Sequence, residues 1–281
     1  MSDIRTIKKI ITGKNTVDGA GVKLVRVFGF GDTKDFDPFL MLDAFDSVNP
    51  EDYIKGFPSH PHRGIETITY LVNGNIEHED SLGNKGSILD GQCQWMTAGS
   101  GIIHQEMPKP CERMLGVQIW LNLPSNDKMV EPKYRGITNE DIPVINEKDC
   151  KIHIIAGVYN GKLGALEGDY VKALYLDVEL NSKAKWVLNT EKDDTLFVYI
   201  LEGEVSFGNG NDKMVSEKHV VLFNEGNEFI VKASSKGARF LLMSGKPLGD
   251  PIAWGGPIVM NTKEELDLAF RELDENTFIK G

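Results

Sequence analysis

The chain has 281 residues, with 31 Lys and Arg against 42 Asp and Glu, a formal net charge of −11, and 41% hydrophobic residues. That much apolar side chain excludes a mainly disordered protein, and the length suits two domains or one large all-β unit. The negative balance opposes sequence-independent nucleic-acid binding, because a phosphate backbone carries the same sign.

Met1 to Lys9 contain no apolar stretch and no small-residue cleavage site, so no secretory signal is expected. No apolar run approaches the ~18 residues that would span a membrane. Cys93, Cys111 and Cys150 form no CxxC pair. They read as small buried hydrophobes in a reducing, cytoplasmic compartment.

Along the chain, short strands alternate with turns. Ile65–Val72 is rich in β-branched and aromatic residues. Asn73-Gly74 then predicts a two-residue hairpin turn, with Ile76–Asp80 as the returning strand. Leu82-Gly83-Asn84-Lys85-Gly86 turns again, and Val117–Leu121 forms a strand that stops at Pro124. Residues 124–149 are polar, contain Pro124, Pro132 and Pro143, and read as a linker. Ile152–Val158, Leu174–Val178, Leu196–Leu201 and Phe240–Met243 are further strands. One helix is predicted near the C-terminus. There Thr262-Lys263-Glu264-Glu265 forms a capping box, and Leu266, Phe270 and Leu273 share a face. Many strands at ~8–12-residue spacing indicate an all-β sandwich or barrel. Tyr70–Ile76 is similar to Tyr199–Val205 at an offset of 129 residues, so two β domains stand in tandem.

Six histidines occur, at 60, 62, 78, 104, 153 and 219. His60-Pro61-His62 precedes the Ile65 strand, and a His-x-His at a strand end projects both imidazoles to one side. His104-Gln105-Glu106 can add a third imidazole and a carboxylate, a donor set that suits Fe(II) or Mn(II) and accepts neighbouring divalent ions. A lone His-x-His is a weak signal, but His-x-His followed by His-x-Glu in a His-poor chain is stronger. Sliding by 129 puts Asn189, Glu191 and Thr195 where His60, His62 and Glu66 stand, so the second copy lacks the ligands. Among the remaining residues, His78 reads as solvated and Arg63 as one half of a salt bridge. Trp95, Met96 and Cys93 read as core. His153 and His219 carry no assigned role.

The chain resembles the pirins, a family of cytoplasmic or nuclear bicupins. The resemblance rests on Asp18–Val22, Asp37–Asp43, Phe57–Gly64, Gln94–Gly99, Ile103–Pro108, Gln118–Pro124 and Gly256–Asn261. It implies two tandem cupin domains, each a jelly-roll β-barrel, with a short C-terminal helix. Residues 1–138 would form the metal-binding domain and 139–281 a cupin without ligands. One divalent ion would be held by His60, His62, His104 and Glu106, with iron(II) first and Mn, Co, Ni, Cu or Zn as alternatives. Archetypal cupins place the carboxylate at a position matching Glu66; the pirin arrangement places it at Glu106. The resemblance also implies a quercetin 2,3-dioxygenase-like oxidoreductase. It would open a flavonol-like aromatic substrate with dioxygen, Glu106 serving as the catalytic base. The rival readings are a redox-dependent regulator that binds a protein partner without turnover, and a different metal-dependent cupin enzyme. Neither direct nucleic-acid binding nor membrane association is expected.

Overall fold

A computed structural model describes residues 3–210 and 213–280. It divides into two compact units, both dominated by antiparallel strands. The His-bearing unit comprises Lys14–Lys34, Pro38–Asn139 and the chain from Leu248 onward. The second unit comprises the chain up to Gly13, Asp35–Asp37 and Glu140–Pro247. These units depart from a single cut at 138/139, and strand pairing is the reason. Ile7–Thr12 pairs with His219–Phe223. Ile258 forms a bridge with Arg63.

In the His-bearing unit, a seven-stranded sheet runs in the order Lys133–Ile137, Cys93–Thr97, Ile65–Asn73, Met114–Asn122, Phe39–Ser47, Val22–Phe28, Lys14–Asp18. A four-stranded sheet runs Phe57–His62, Ile102–Pro108, Ile76–Asp80, Lys85–Ile88. Ile65–Val72 is buried at every position, as a strand covered on both faces must be. Side chains of the two sheets meet in the interior, where Gln118 of the larger sheet bonds Glu106 of the smaller.

The expected hairpin at Asn73-Gly74 does not form. Ile65–Asn73 pairs within the larger sheet and Ile76–Asp80 within the smaller, so Gly74 is a corner between sheets. Its φ is +143°, and a Cβ there would lie 2.7 Å from Met114 Sδ. In the second copy, Thr195–Phe207 runs through Gly203 as one bent strand, with register shifts on both sides of that glycine. The repeat therefore preserves a bend, which glycine permits in both copies. The expected linker is also structured. It contains Lys133–Ile137, an edge strand paired with Cys93–Thr97, and Val144–Asn146, paired with Cys150–Ala156.

The second unit centres on Glu228–Gly245, flanked by Thr195–Phe207 and Leu174–Leu180. Its interior is apolar: Trp186 packs against Phe229 and Phe240 at 6.1 Å each, among Val198, Ile200 and Leu242. Among the described residues, the one cluster able to hold a metal lies elsewhere.

The helix Lys263–Asp274 starts as expected. Thr262 Oγ1 accepts from the Glu265 amide at 3.2 Å, and Glu265 Oε2 accepts from the Thr262 amide at 3.0 Å. Leu266, Ala269 and Leu273 pack with Ile258, Met260 and Phe278. Phe270 remains partly exposed. Among the described residues, no helix is long and apolar enough to cross a membrane.

Candidate metal centre

His60 and His62 lie on Phe57–His62, and His104 and Glu106 on its antiparallel neighbour Ile102–Pro108. The period of two points each pair to one face, and the register sets His104 directly opposite His60. The three ring centroids are 4.4, 4.9 and 5.1 Å apart. One nitrogen from each ring falls within 4.8 Å of the others. His62 and His104 are buried and His60 is half-buried. Glu106 borders this trio, its Oε2 4.0 Å from His104 Nε2.

Hydrogen bonds set the tautomers. His60 Nδ1 donates to the Pro58 carbonyl at 2.8 Å, and His62 Nδ1 donates to the Pro257 carbonyl at 3.0 Å. A carbonyl oxygen only accepts, so in both rings Nδ1 carries a proton and Nε2 is the nitrogen left to face a ligand. Burial, reinforced by the neighbouring imidazoles, holds His62 and His104 well below the ordinary imidazole range, so both are neutral. Neither nitrogen of His104 has a hydrogen-bond partner among the described residues, although the residue is 2% exposed. A buried unsatisfied imidazole costs on the order of 1–3 kcal/mol. A divalent ion would remove that cost, so the residues fit a metal.

Glu106 is held from the opposite sheet. Gln118 Nε2 donates to both of its oxygens, at 3.1 and 3.0 Å, and Thr69 Oγ1 donates at 3.3 Å. Trp120 Nε1 donates to Gln118 Oε1 at 3.4 Å, which orients the amide. Sequence reasoning missed Gln118 and Thr69. The available signal was a polar residue in the otherwise apolar Val117–Leu121. Glu66 is also fully buried, but it accepts from Thr97 Oγ1 at 2.6 Å and faces Arg135 at 3.6 Å. It is not part of the histidine cluster.

His78 is not solvated. It is 6% exposed, stacks on Tyr134 at 4.6 Å with its Nε2 bonded to the Tyr134 hydroxyl, and stands opposite Glu106 in the sheet. Ile76, His78 and Asp80 form the inward face of their strand, which the acidic context of Glu77 and Glu79 disguised. Burial lowers the His78 pKa, against the pull of Glu106 and Asp80. Arg63 forms the expected salt bridge, to Glu272 at 2.7 Å, and Trp95, Met96 and Cys93 are core as expected.

A cavity of about 570 Å³ opens beside the trio, reaching His60, His62 and Glu106. Its walls are aromatic: Trp120 and Trp254 lie 5.6 Å apart, and Phe30 meets Trp254 at 5.7 Å. Asp43, doubly bonded to Arg26 at 2.9 and 2.7 Å, also lines it. A larger concavity of about 760 Å³ in the second unit is lined by Glu202, Glu204 and Glu217, with no imidazole, so size does not select the site.

The pirin family model matches residues 21–121, and the model of the pirin C-terminal cupin domain matches 175–279. The chain belongs to the pirin family. Both units are therefore cupin-type domains. A Caulobacter vibrioides protein named pirin-like protein is 40% identical over 278 residues, covering 98% of this chain and 99% of the relative. The crystal structure of a quercetin 2,3-dioxygenase from Acinetobacter baumannii superimposes with a TM-score of 0.88 at 33% identity, covering 98% of each chain. A bacterial pirin from Escherichia coli, crystallised in complex with nickel(II), shares the fold at a TM-score of 0.66 and 19% identity, covering 85% of this chain and 98% of its own. The pirin C-terminal cupin match includes residues 248–279, which in space belong with the His-bearing unit.

Proposed function

We propose that this pirin binds one divalent metal ion through His60, His62, His104 and Glu106. With it, the protein opens the ring of a flavonol-type substrate using dioxygen, releasing carbon monoxide, in the cytoplasm. The observation carrying this reading is a buried, unsatisfied His104 in a trio of imidazoles beside an aromatic-walled cavity. The similarity to a quercetin 2,3-dioxygenase structure at 33% identity supports the substrate class. A bound ion, with iron(II) preferred by this nitrogen-and-oxygen donor set, supplies Lewis acidity and a redox path between an aromatic substrate and dioxygen. Trp120, Trp254 and Phe30 present ring faces and edges for a flat aromatic ligand. Glu106 accepts the proton of the substrate hydroxyl. Gln118 and Thr69 hold its carboxylate still while it does so.

Aerobic incubation of iron-loaded protein with quercetin is expected to consume flavonol and release carbon monoxide. His62→Ala is expected to lose that turnover, and equal rates in the variant would overturn metal-centred catalysis. Metal bound without turnover would favour the regulatory reading, with a protein partner instead of a substrate. The two carboxylates separate in a second experiment. Glu106→Ala should retain less than roughly a tenth of the metal after dialysis, whereas Glu66→Ala should retain it. Full retention by Glu106→Ala would move the carboxylate ligand elsewhere.

A further inference from the structure

The strand that carries His60 and His62 ends at Arg63-Gly64, and this corner is gripped by the last part of the chain. The turn between Ala253–Gly255 and Ile258–Met260 presents the Pro257 carbonyl to His62 Nδ1, 195 residues away in sequence. The Val259 amide donates to the Arg63 carbonyl at 3.1 Å. Lys128, 3% exposed, donates to the carbonyls of Gly64 and Val259 at 2.8 and 2.9 Å and to Asn122 Oδ1 at 2.5 Å. One ammonium thus ties the histidine corner to the C-terminal strand.

Arg63 carries the grip further. Its guanidinium is buried and donates to the Ser100 carbonyl at 2.7 Å, to Glu272 Oε2 at 2.7 Å and to the Phe278 carbonyl at 2.8 Å. It lies 4.1 Å over the Phe278 ring. Of these partners, Glu272 and Phe278 come from the C-terminal helix and the residues after it. A buried guanidinium without them would stand uncompensated, a costly state. The docked C-terminal segment and the position of the His62 backbone therefore depend on each other.

We infer that the C-terminal segment from Trp254 to Phe278 is a positioning element of the metal centre. It sets the His62 tautomer through Pro257 and the His62 backbone through Arg63, with Glu272 and Phe278 as the positioning residues. The inference rests on the proposed role of His62 as a ligand. A ring whose Nδ1 proton has a fixed acceptor offers Nε2 in one direction, and loss of such an outer contact weakens metal binding by roughly 10–100-fold. Coupling between two sites is reciprocal, so a bound ion must also strengthen the docking of this segment.

The test is a titration of folded, metal-free protein with cobalt(II) alone. Glu272→Gln and Phe278→Leu, both mild in volume, are expected to weaken cobalt affinity roughly tenfold and to alter its visible spectrum. Ile154→Val, a core change in the second unit, lowers the melting temperature and should leave cobalt affinity unchanged. Amide exchange on the unaltered protein gives a measurement that requires no variant. Cobalt should slow exchange at Val259, whose amide bonds the Arg63 carbonyl. His62→Ala separates the two levels. If it binds cobalt as well as the unaltered chain, His62 is not a ligand and the underlying reading falls. If it loses cobalt while Glu272→Gln and Phe278→Leu bind normally, and Val259 exchange is unmoved, the positioning inference is overturned. Rupture of Arg63 contacts that lowers the melting temperature with unchanged cobalt affinity also overturns it, because a merely structural clasp behaves that way.

Discussion

On the metal site proposed above, His104→Ala is expected to abolish divalent-ion binding, with at least about a 100-fold loss of affinity. His104 is the member of the trio with no hydrogen bond at either ring nitrogen. Its ring is packed 4.4 Å from His60 and 5.1 Å from His62, so its loss opens one side of the cluster. The consequence for stability has an unusual sign. With metal at a thousand times its dissociation constant, binding adds about 4 kcal/mol to the unaltered fold, and the variant forfeits this. Without metal, the unaltered chain carries an unsatisfied imidazole. His104→Leu in the metal-free state should therefore match or exceed it in stability, by about 1 kcal/mol. Thermal melts of both proteins, with metal and with chelator, read all four states. A metal-induced stabilisation in His104→Leu as large as that of the unaltered chain would remove His104 from the site.

The largest expected stability loss away from the histidines is at Gly64. Its φ is +75°, and a Cβ there would lie 2.0 Å from the Val259 carbonyl oxygen and 3.1 Å from Lys128 Cδ. That oxygen accepts from Lys128 Nζ and cannot retreat without losing the bond. Gly64→Ala combines left-handed backbone strain of about 1–2 kcal/mol with displacement of the C-terminal strand, for a total of at least about 3 kcal/mol. Gly83→Ala is the control: its φ is +87°, but no atom lies within 4 Å of the added carbon, so only the backbone strain remains. Urea denaturation of the two variants should differ by about 2 kcal/mol. Equal losses would show that the contact with Val259 relaxes freely.

What was legible in the sequence was local. The Thr262 capping box joins residues three apart and formed as expected. His60 and His62 share a face because strand side chains alternate, whatever the rest of the chain does. Asn73-Gly74 was legible as a bend. Whether a bend returns a strand to its neighbour or passes it to another sheet depends on which strands lie alongside, and Ile76–Asp80 found Ile102–Pro108 instead. His78 was misread for a similar reason. Its strand alternates inward at Ile76, His78 and Asp80, but only the facing Tyr134 makes an inward imidazole acceptable. The single cut at 138/139 could not anticipate that Ile7–Thr12 would pair with His219–Phe223, or that Ile258 would bridge to Arg63.

The sequence by itself determined that the protein is all-β, built as two related halves, with one His-rich half. Periodicity, turn residues and ligand spacing are encoded within a few positions of one another. Only the tertiary structure decided that His104 approaches His60 across a strand pair, that Gln118 and Thr69 hold Glu106, and that the far end of the chain holds His62. Those relations join residues separated by 12 to 195 positions, and they arise from strand register and from the need to satisfy polar groups buried between sheets.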